Sequence, residues 1–200
     1  MAFDEAQLAA VAASLSVMAY LPYGWAVLRG RARPQRSSWL IWSVLSAVAF
    51  FAVLGSGGTR GLLFTGSQMA GTAAIFLLSL WRGAGSVFNR SEGAILSLSA
   101  LGLLLWWATD DAAYAMALSI AIGATGGSLT VLQAYRRPGS EALLPWAVQT
   151  LAAGFGVASA LGGSMLELAY PAYLLALYAA IFGAGLAGRS IYGLPPGGAA

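Results

Sequence analysis

Long apolar runs alternate with short polar segments along this chain, and the runs have the length of helices. Seven stand out, at 8–28, 39–54, 61–81, 93–108, 112–133, 142–161 and 165–186. A helix rises about 1.5 Å per residue, so about 20 apolar residues cross the hydrocarbon core of a bilayer. The runs at 39–54 and 93–108 are short for this purpose but keep the pattern. Turn-forming segments separate most of them: GSGGTRG at 55–61, RGAGSVFNRSE at 82–92, TDD at 109–111, RRPGSE at 136–141 and GGS at 162–164. The pattern predicts an all-α protein of seven transmembrane helices.

The pattern also repeats. Residues 27–42 (VLRGRARPQRSSWLIW) align without a gap to residues 131–146 (VLQAYRRPGSEALLPW), an offset of 104. Val27, Leu28, Arg33, Pro34, Leu40 and Trp42 reappear as Val131, Leu132, Arg137, Pro138, Leu144 and Trp146. Extending the register adds Val44/Val148, Ala49/Ala153, Phe51/Phe155, Val53/Val157 and Gly58/Gly162. AAIF at 73–76 returns at 179–182, at an offset of 106. The predicted organisation is a three-helix repeat (1–90), a linker helix (91–111), a second three-helix repeat (112–188) and a flexible tail (189–200). A single linker crossing gives both repeats the same orientation, as parallel repeats about an axis along the membrane normal.

Composition agrees with lipid as the solvent. Only 8% of residues are charged, against about 25% in a typical soluble domain, too few to coat a water-soluble globule. With an outside N-terminus, seven spans put Arg29, Arg31, Arg33, Arg36, Arg82, Arg90, Arg136, Arg137 and Arg189 on the cytoplasmic side. The other side holds Asp4, Glu5, Asp110, Asp111 and Glu167, with Arg60 as its one base. This is the positive-inside bias of an N-out, C-in protein. Without the linker span, Arg136 and Arg137 would fall opposite the first arginine cluster. The acidic start MAFDEAQLAAVAAS lacks the positive charge of a secretory signal and reads as part of a retained helix.

Several chemistries drop out. Cysteine, histidine and lysine are absent. No disulfide framework, no thiolate or histidine metal centre and no retinal Schiff base can be built. No nucleophile–base pair or phosphate-cradling loop appears, so the chain reads as a non-enzyme without metal or cofactor. The arginines lie in loops rather than on one polar face, which speaks against nucleic acid as a partner.

In its arrangement and local motifs the chain resembles the SWEET and semiSWEET sugar transporters and the wider PQ-loop superfamily, over roughly residues 10–187. The family's proline late in the first helix, commonly Pro-Gln, corresponds to Pro22-Tyr23; Pro34-Gln35 lies in the following loop. Its Asn-x-x-Gly pattern in the third helix looks like Gln68-Met69-Ala70-Gly71, and its Pro-Asn in the seventh like Pro171-Ala172. The proline equivalent to Pro22 is Gly126 in the second half, and a second-helix proline survives as Pro145. The resemblance implies a divergent bacterial branch, in the inner membrane, with transport of a small polar solute such as a sugar.

Candidate site residues follow. Gln68 is a costly amide in hydrocarbon and reads either as a substrate contact or as an interhelical hydrogen bond; Gln149 reads as the latter. Phe51 and Phe155 are repeat-related and offer stacking faces, with core packing as the plain alternative. Tyr170 and Tyr173 combine a ring with a hydroxyl. Pro22, Tyr23, Pro145 and Pro171 are hinge candidates, or static packing kinks. Trp42 and Trp146 are candidates for a cytoplasmic gate or an interfacial belt, and Trp25, Trp39, Trp81, Trp106 and Trp107 for the belt. No carboxylate lies deep in a span, so transport is expected to be facilitated rather than proton-coupled. A non-transporting membrane subunit, or a lipid- or cofactor-binding partner in a larger complex, is the alternative, and oligomerisation is left open. A polar axial cavity walled by Gln68, Tyr173 and Phe51 favours transport, and a filled axis favours the subunit.

Overall fold

The computed structural model describes residues 4–30, 33–83, 97, 100, 101, 104, 106–136 and 143–192. Among these the chain is helical with no strand. Six helices are long and apolar enough to cross a membrane: α1 Glu5–Leu28, α2 Arg36–Gly55, α3 Leu62–Arg82, α4 Ala112–Arg136, α5 Leu143–Ala160 and α6 Met165–Tyr192. They make this a multi-pass membrane protein. Leu21, Leu77, Trp81, Leu144 and Leu151 are exposed on the outside of the bundle, as lipid-facing positions are.

The observed helices fall within a few residues of six predicted runs. The run at 93–108 lies largely outside the described residues; Ser97, Ala100, Leu101, Leu104 and residues 106–108, which are described, are helical. α6 continues to Tyr192, past the boundary at 189 where a flexible tail is expected. Its last turns dock on α4, with Gly188 close against the Tyr135 carbonyl and Arg189 buried.

Neighbouring helices form a closed ring in the order α1, α3, α2, α4, α6, α5 and back to α1. One end of the bundle gathers the arginines. There Arg36 Nε donates to Ser79 O at 3.0 Å, so the start of α2 caps the end of α3. The acidic residues among those described, Asp4, Glu5, Asp110, Asp111 and Glu167, lie at the other end, where Arg60 pairs with Glu5 at 3.1 Å. α1, α3, α4 and α6 end at the arginine-rich end, while α2 and α5 start there.

Side chains fix several helix ends. Asp4 and Gln7 close a capping box on α1: Gln7 N donates to Asp4 Oδ1 at 2.8 Å and Asp4 N to Gln7 Oε1 at 3.1 Å. Ser164 and Glu167 form another at the start of α6. Glu167 also reaches across the bundle to accept from Arg60 N at 2.6 Å. The glycines beside it leave room: a Cβ on Gly58 would stand 2.8 Å from Glu167 Cγ. Pro171 offers no N–H to the Glu167 carbonyl one turn earlier. That carbonyl lies against Gly61, whose φ of +68° suits glycine.

The packed core fills the acidic half of the axis. Ala49, Ala52, Val53, Phe64, Met116, Ala152, Ala153 and Leu174 belong to it. Small residues permit this closeness: Phe64 is fully buried, and a Cβ on Gly156 would stand 2.7 Å from its ring.

Candidate functional site

Below this core the helices part around a cavity of about 440 Å³, within the range of small-molecule sites. All six helices contribute to its walls. On α2 and α5 the walls run from the first turn, at Ser38 and Pro145, inward to Leu45 and Gln149. The rest of both helices packs into the core or faces outward. The cavity therefore leans toward the arginine-rich end.

A hydrogen-bonded cluster occupies its inner part. Gln68 Oε1 on α3 accepts from Tyr20 Oη on α1 at 2.7 Å and from Tyr178 Oη on α6 at 3.2 Å. Gln68 Nε2 donates to Gln149 Oε1 on α5 at 3.2 Å. One helical turn along α3, Thr72 Oγ1 lies 2.8 Å from Ser46 Oγ on α2, which brings a fifth helix into the polar band. An amide in an apolar surround is costly unless its groups are paired, and Gln68 is completely buried with both ends of its amide engaged. Gly71 permits the arrangement, because Tyr20 lies flat where a Cβ on Gly71 would be.

Aromatic rings make up the wider part. Tyr23 stacks on Trp39 with centroids 5.4 Å apart, and Trp39 meets Trp42 edge-on at 5.2 Å. Across the cavity Trp146 lies against Tyr178 at 5.7 Å. Tyr173 adds a phenol seated on Gly123, where a Cβ would come 2.5 Å from its oxygen. Among the described residues no charged side chain lines this space. Such a wall offers ring faces together with hydroxyl and amide groups, the surface for a neutral solute with both apolar and hydrogen-bonding parts.

Positions separated by the two sequence offsets recur around the wall. At the offset of 104, Ala19 matches Gly123, Tyr23 matches Gly127, Trp42 matches Trp146 and Leu45 matches Gln149. At the offset of 106, Gln68 matches Leu174 and Thr72 matches Tyr178. The positions correspond while the chemistry differs, so each half supplies one glutamine from a different helix.

Of the candidates read from the sequence, the structure brings Gln68, Tyr170, Tyr173, Tyr23, Trp42, Trp146 and Pro145 to this cavity. Phe51 is not among its walls: it is half exposed on the outside of α2, edge-on to Phe50. Phe155 packs against the core instead. Pro22 lies inside α1 on an exposed face, and Pro171 is buried inside α6 at the acidic end. Pro145 sits in the first described turn of α5, where a missing N–H breaks no helical hydrogen bond. Trp39 belongs to the cavity rather than to a belt, and Trp106 packs on Gly55 and the core. Tyr20, Thr72 and Tyr178 are the contributors that the sequence reading missed. Tyr178 was within reach, since it stands at the offset of 106 from Thr72, on the turn before a repeated AAIF segment.

No protein-family model matches the chain, and neither the curated proteins nor the solved structures searched give a match.

Proposed function

We propose that this protein is a membrane transporter, a facilitator that moves a small, uncharged polar solute by alternating access between two three-helix repeats. The observation that carries the reading is the axial cavity whose polar cluster joins Tyr20 and Gln68 of one half to Gln149 and Tyr178 of the other. A site shared between two rigid halves changes its exposure when the halves rock.

The helix ring supports the repeat. Exchanging α1 with α4, α2 with α5 and α3 with α6 maps its neighbour order onto itself, the outcome expected of two parallel copies around one axis. In this reading residues 1–90 and 112–188 are the repeats, residues 91–111 join them and the arginine-rich end is cytoplasmic. The conformation then faces inward: closed on the outside by the core and the Glu167 contacts, hollow toward the cytoplasm. The same features support kinship with the SWEET and PQ-loop transporters, a sugar-like cargo and residence in a bacterial inner membrane.

The test is uptake into proteoliposomes of a panel of labelled mono- and disaccharides and other neutral polar solutes. At least one solute should equilibrate down its gradient, without a proton gradient, and Gln149→Leu should slow it. A panel that never exceeds protein-free vesicles, with the protein isolated in a stable membrane complex, would favour the subunit role.

A further inference from the structure

A second hollow lies at the arginine-rich end, away from the axis, between the ends of α1 and α3. It is an open cup of about 420 Å³ formed by Gly30, Arg33, Trp81, Arg82 and Gly83. Gly30, with φ +72°, lets the Arg82 guanidinium lie against the backbone; a Cβ there would stand 3.2 Å from Arg82 Nη1.

The charges at this end have different uses. Arg36 is engaged by the protein, through its hydrogen bond to Ser79 O. Arg33 and Arg82 have no carboxylate within ion-pair distance among the described residues. The guanidinium of Arg82 is stacked on Trp81, 4.3 Å from the ring centroid, and that of Arg29 on Trp25 at 4.4 Å. Both tryptophans are more than half exposed on the outside of the bundle. Paired tryptophan and arginine side chains at the ends of membrane helices mark the level of the lipid headgroups. The start of α2, with an N-cap Gln35 that makes no side-chain cap, adds the positive end of a helix to the same region. The cup is therefore cationic and open, at headgroup depth and beside lipid.

We infer that this cup binds the phosphate of an anionic membrane lipid, gripped between the guanidinium groups of Arg33 and Arg82 while the acyl chains run along the exposed face of α3. Arginine suits the task because its planar donor pair matches two phosphate oxygens. The site is independent of the axial cavity and of any transport through it.

The test uses the full chain, extracted with bound lipid and exchanged into mixtures of phosphatidylcholine and phosphatidylglycerol. Retained lipid is counted by native mass spectrometry. Wild-type protein should retain phosphatidylglycerol in preference to phosphatidylcholine; equal retention overturns the proposal without any variant. Arg33→Gln or Arg82→Gln should lower retention roughly fivefold each, the scale of one arginine near an anionic surface. Arg136→Gln removes the same charge from the same end on the other half and should leave retention unchanged. An equal loss in that variant would mean diffuse charge attraction and sink the site. Displacement of the lipid by millimolar inorganic phosphate would reassign the cup to a soluble anion and likewise overturn the lipid assignment.

Discussion

Gln68 on α3 and Gln149 on α5 meet side chain to side chain, Nε2 to Oε1, at 3.2 Å inside the bundle. At the repeat offsets each has a leucine counterpart, Leu174 and Leu45. The pair therefore breaks whatever symmetry the helices have and concentrates hydrogen-bonding capacity on one side of the axis. Gln68 is held from both directions by protein groups and organises the cluster. Gln149 stands at the inner end of the cavity wall on α5 and is slightly less buried than Gln68.

Replacing both members should cost less than the sum of the two single replacements. Gln68→Leu removes the acceptor of two tyrosine hydroxyls and the donor to the Gln149 carbonyl, and a stranded buried polar group costs about 1–3 kcal/mol. Gln149→Leu removes the acceptor of the Gln68 amide N–H. The double variant should recover part of the loss, giving a coupling energy of about 0.5–3 kcal/mol, as for other contacting residues. Unfolding in detergent micelles, followed by tryptophan fluorescence, supplies the cycle. Additive effects of the two substitutions would mean that the hydrogen bond contributes nothing.

Gly71 tests whether the tyrosine matters for the site or only for the fold. Gly71→Ala places a methyl group where the Tyr20 ring lies, so the ring must swing away and its hydroxyl must leave Gln68. Gly24→Ala adds the same methyl group at ordinary contact with Ile75, 3.5 Å away, and should be tolerated. The expected outcome is solute affinity about tenfold weaker for Gly71→Ala, equivalent to one lost hydrogen bond with its stranded partner. Gly24→Ala should behave as wild type in the same equilibrium-binding titration.

How much of this was legible beforehand follows from what lipid does to sequence. Helix existence and the charge difference between the two ends were plain, because length, apolarity and arginine position are local properties. The inward face of each helix was not, because a helix in lipid is apolar all round and its amphipathic signal fades. Phe51 illustrates the loss. Its repeat partner Phe155 marked it as symmetric, yet symmetry says nothing about which side of α2 meets the axis, and Phe51 faces outward. The tyrosine cluster was hidden for another reason. Tyr20 and Tyr178 reach Gln68 across separations of 48 and 110 residues, and only helix packing brings them together. Gln68 itself was legible, since a buried amide demands partners wherever it sits.

The acidic end carries a second testable device. Glu167 accepts from the backbone of Arg60 and Ser164 and so ties the α2–α3 connection to the start of α6. Arg60 extends the tie, to the Leu161 carbonyl and to Glu5. Hydrogen bonds to a charged group contribute about 1.5–3 kcal/mol each. Glu167→Ala should therefore favour opening at this end by roughly tenfold or more. Because the chain has no cysteine, one introduced thiol reports access without background. Ser119→Cys lies at the inner limit of the cavity wall, and Thr130→Cys nearer the arginine-rich end. An impermeant maleimide applied from the acidic side should label Ser119→Cys slowly, and several-fold faster once Glu167→Ala is added. Labelling that ignores Glu167 would show that the contacts only shape the loops.

Topology is the remaining point on which the transport reading depends. Seven crossings place the two termini on opposite sides of the membrane, as the start of α1 and the end of α6 lie at opposite ends of the bundle; six alternating crossings would place them on the same side. The arginine distribution supports the odd number: Arg29, Arg33 and Arg36 precede the 93–108 run, Arg136 and Arg189 follow it, and all share one end of the bundle. A run that failed to cross would put the two groups on opposite faces, against the positive-inside bias. Fluorescent-protein and alkaline-phosphatase fusions read this directly. A C-terminal fluorescent protein should mature in the cytoplasm, and phosphatase fused at the N-terminus should be active outside. Both termini reporting the same side would remove the parallel repeat, and with it the rocking mechanism proposed for the cavity.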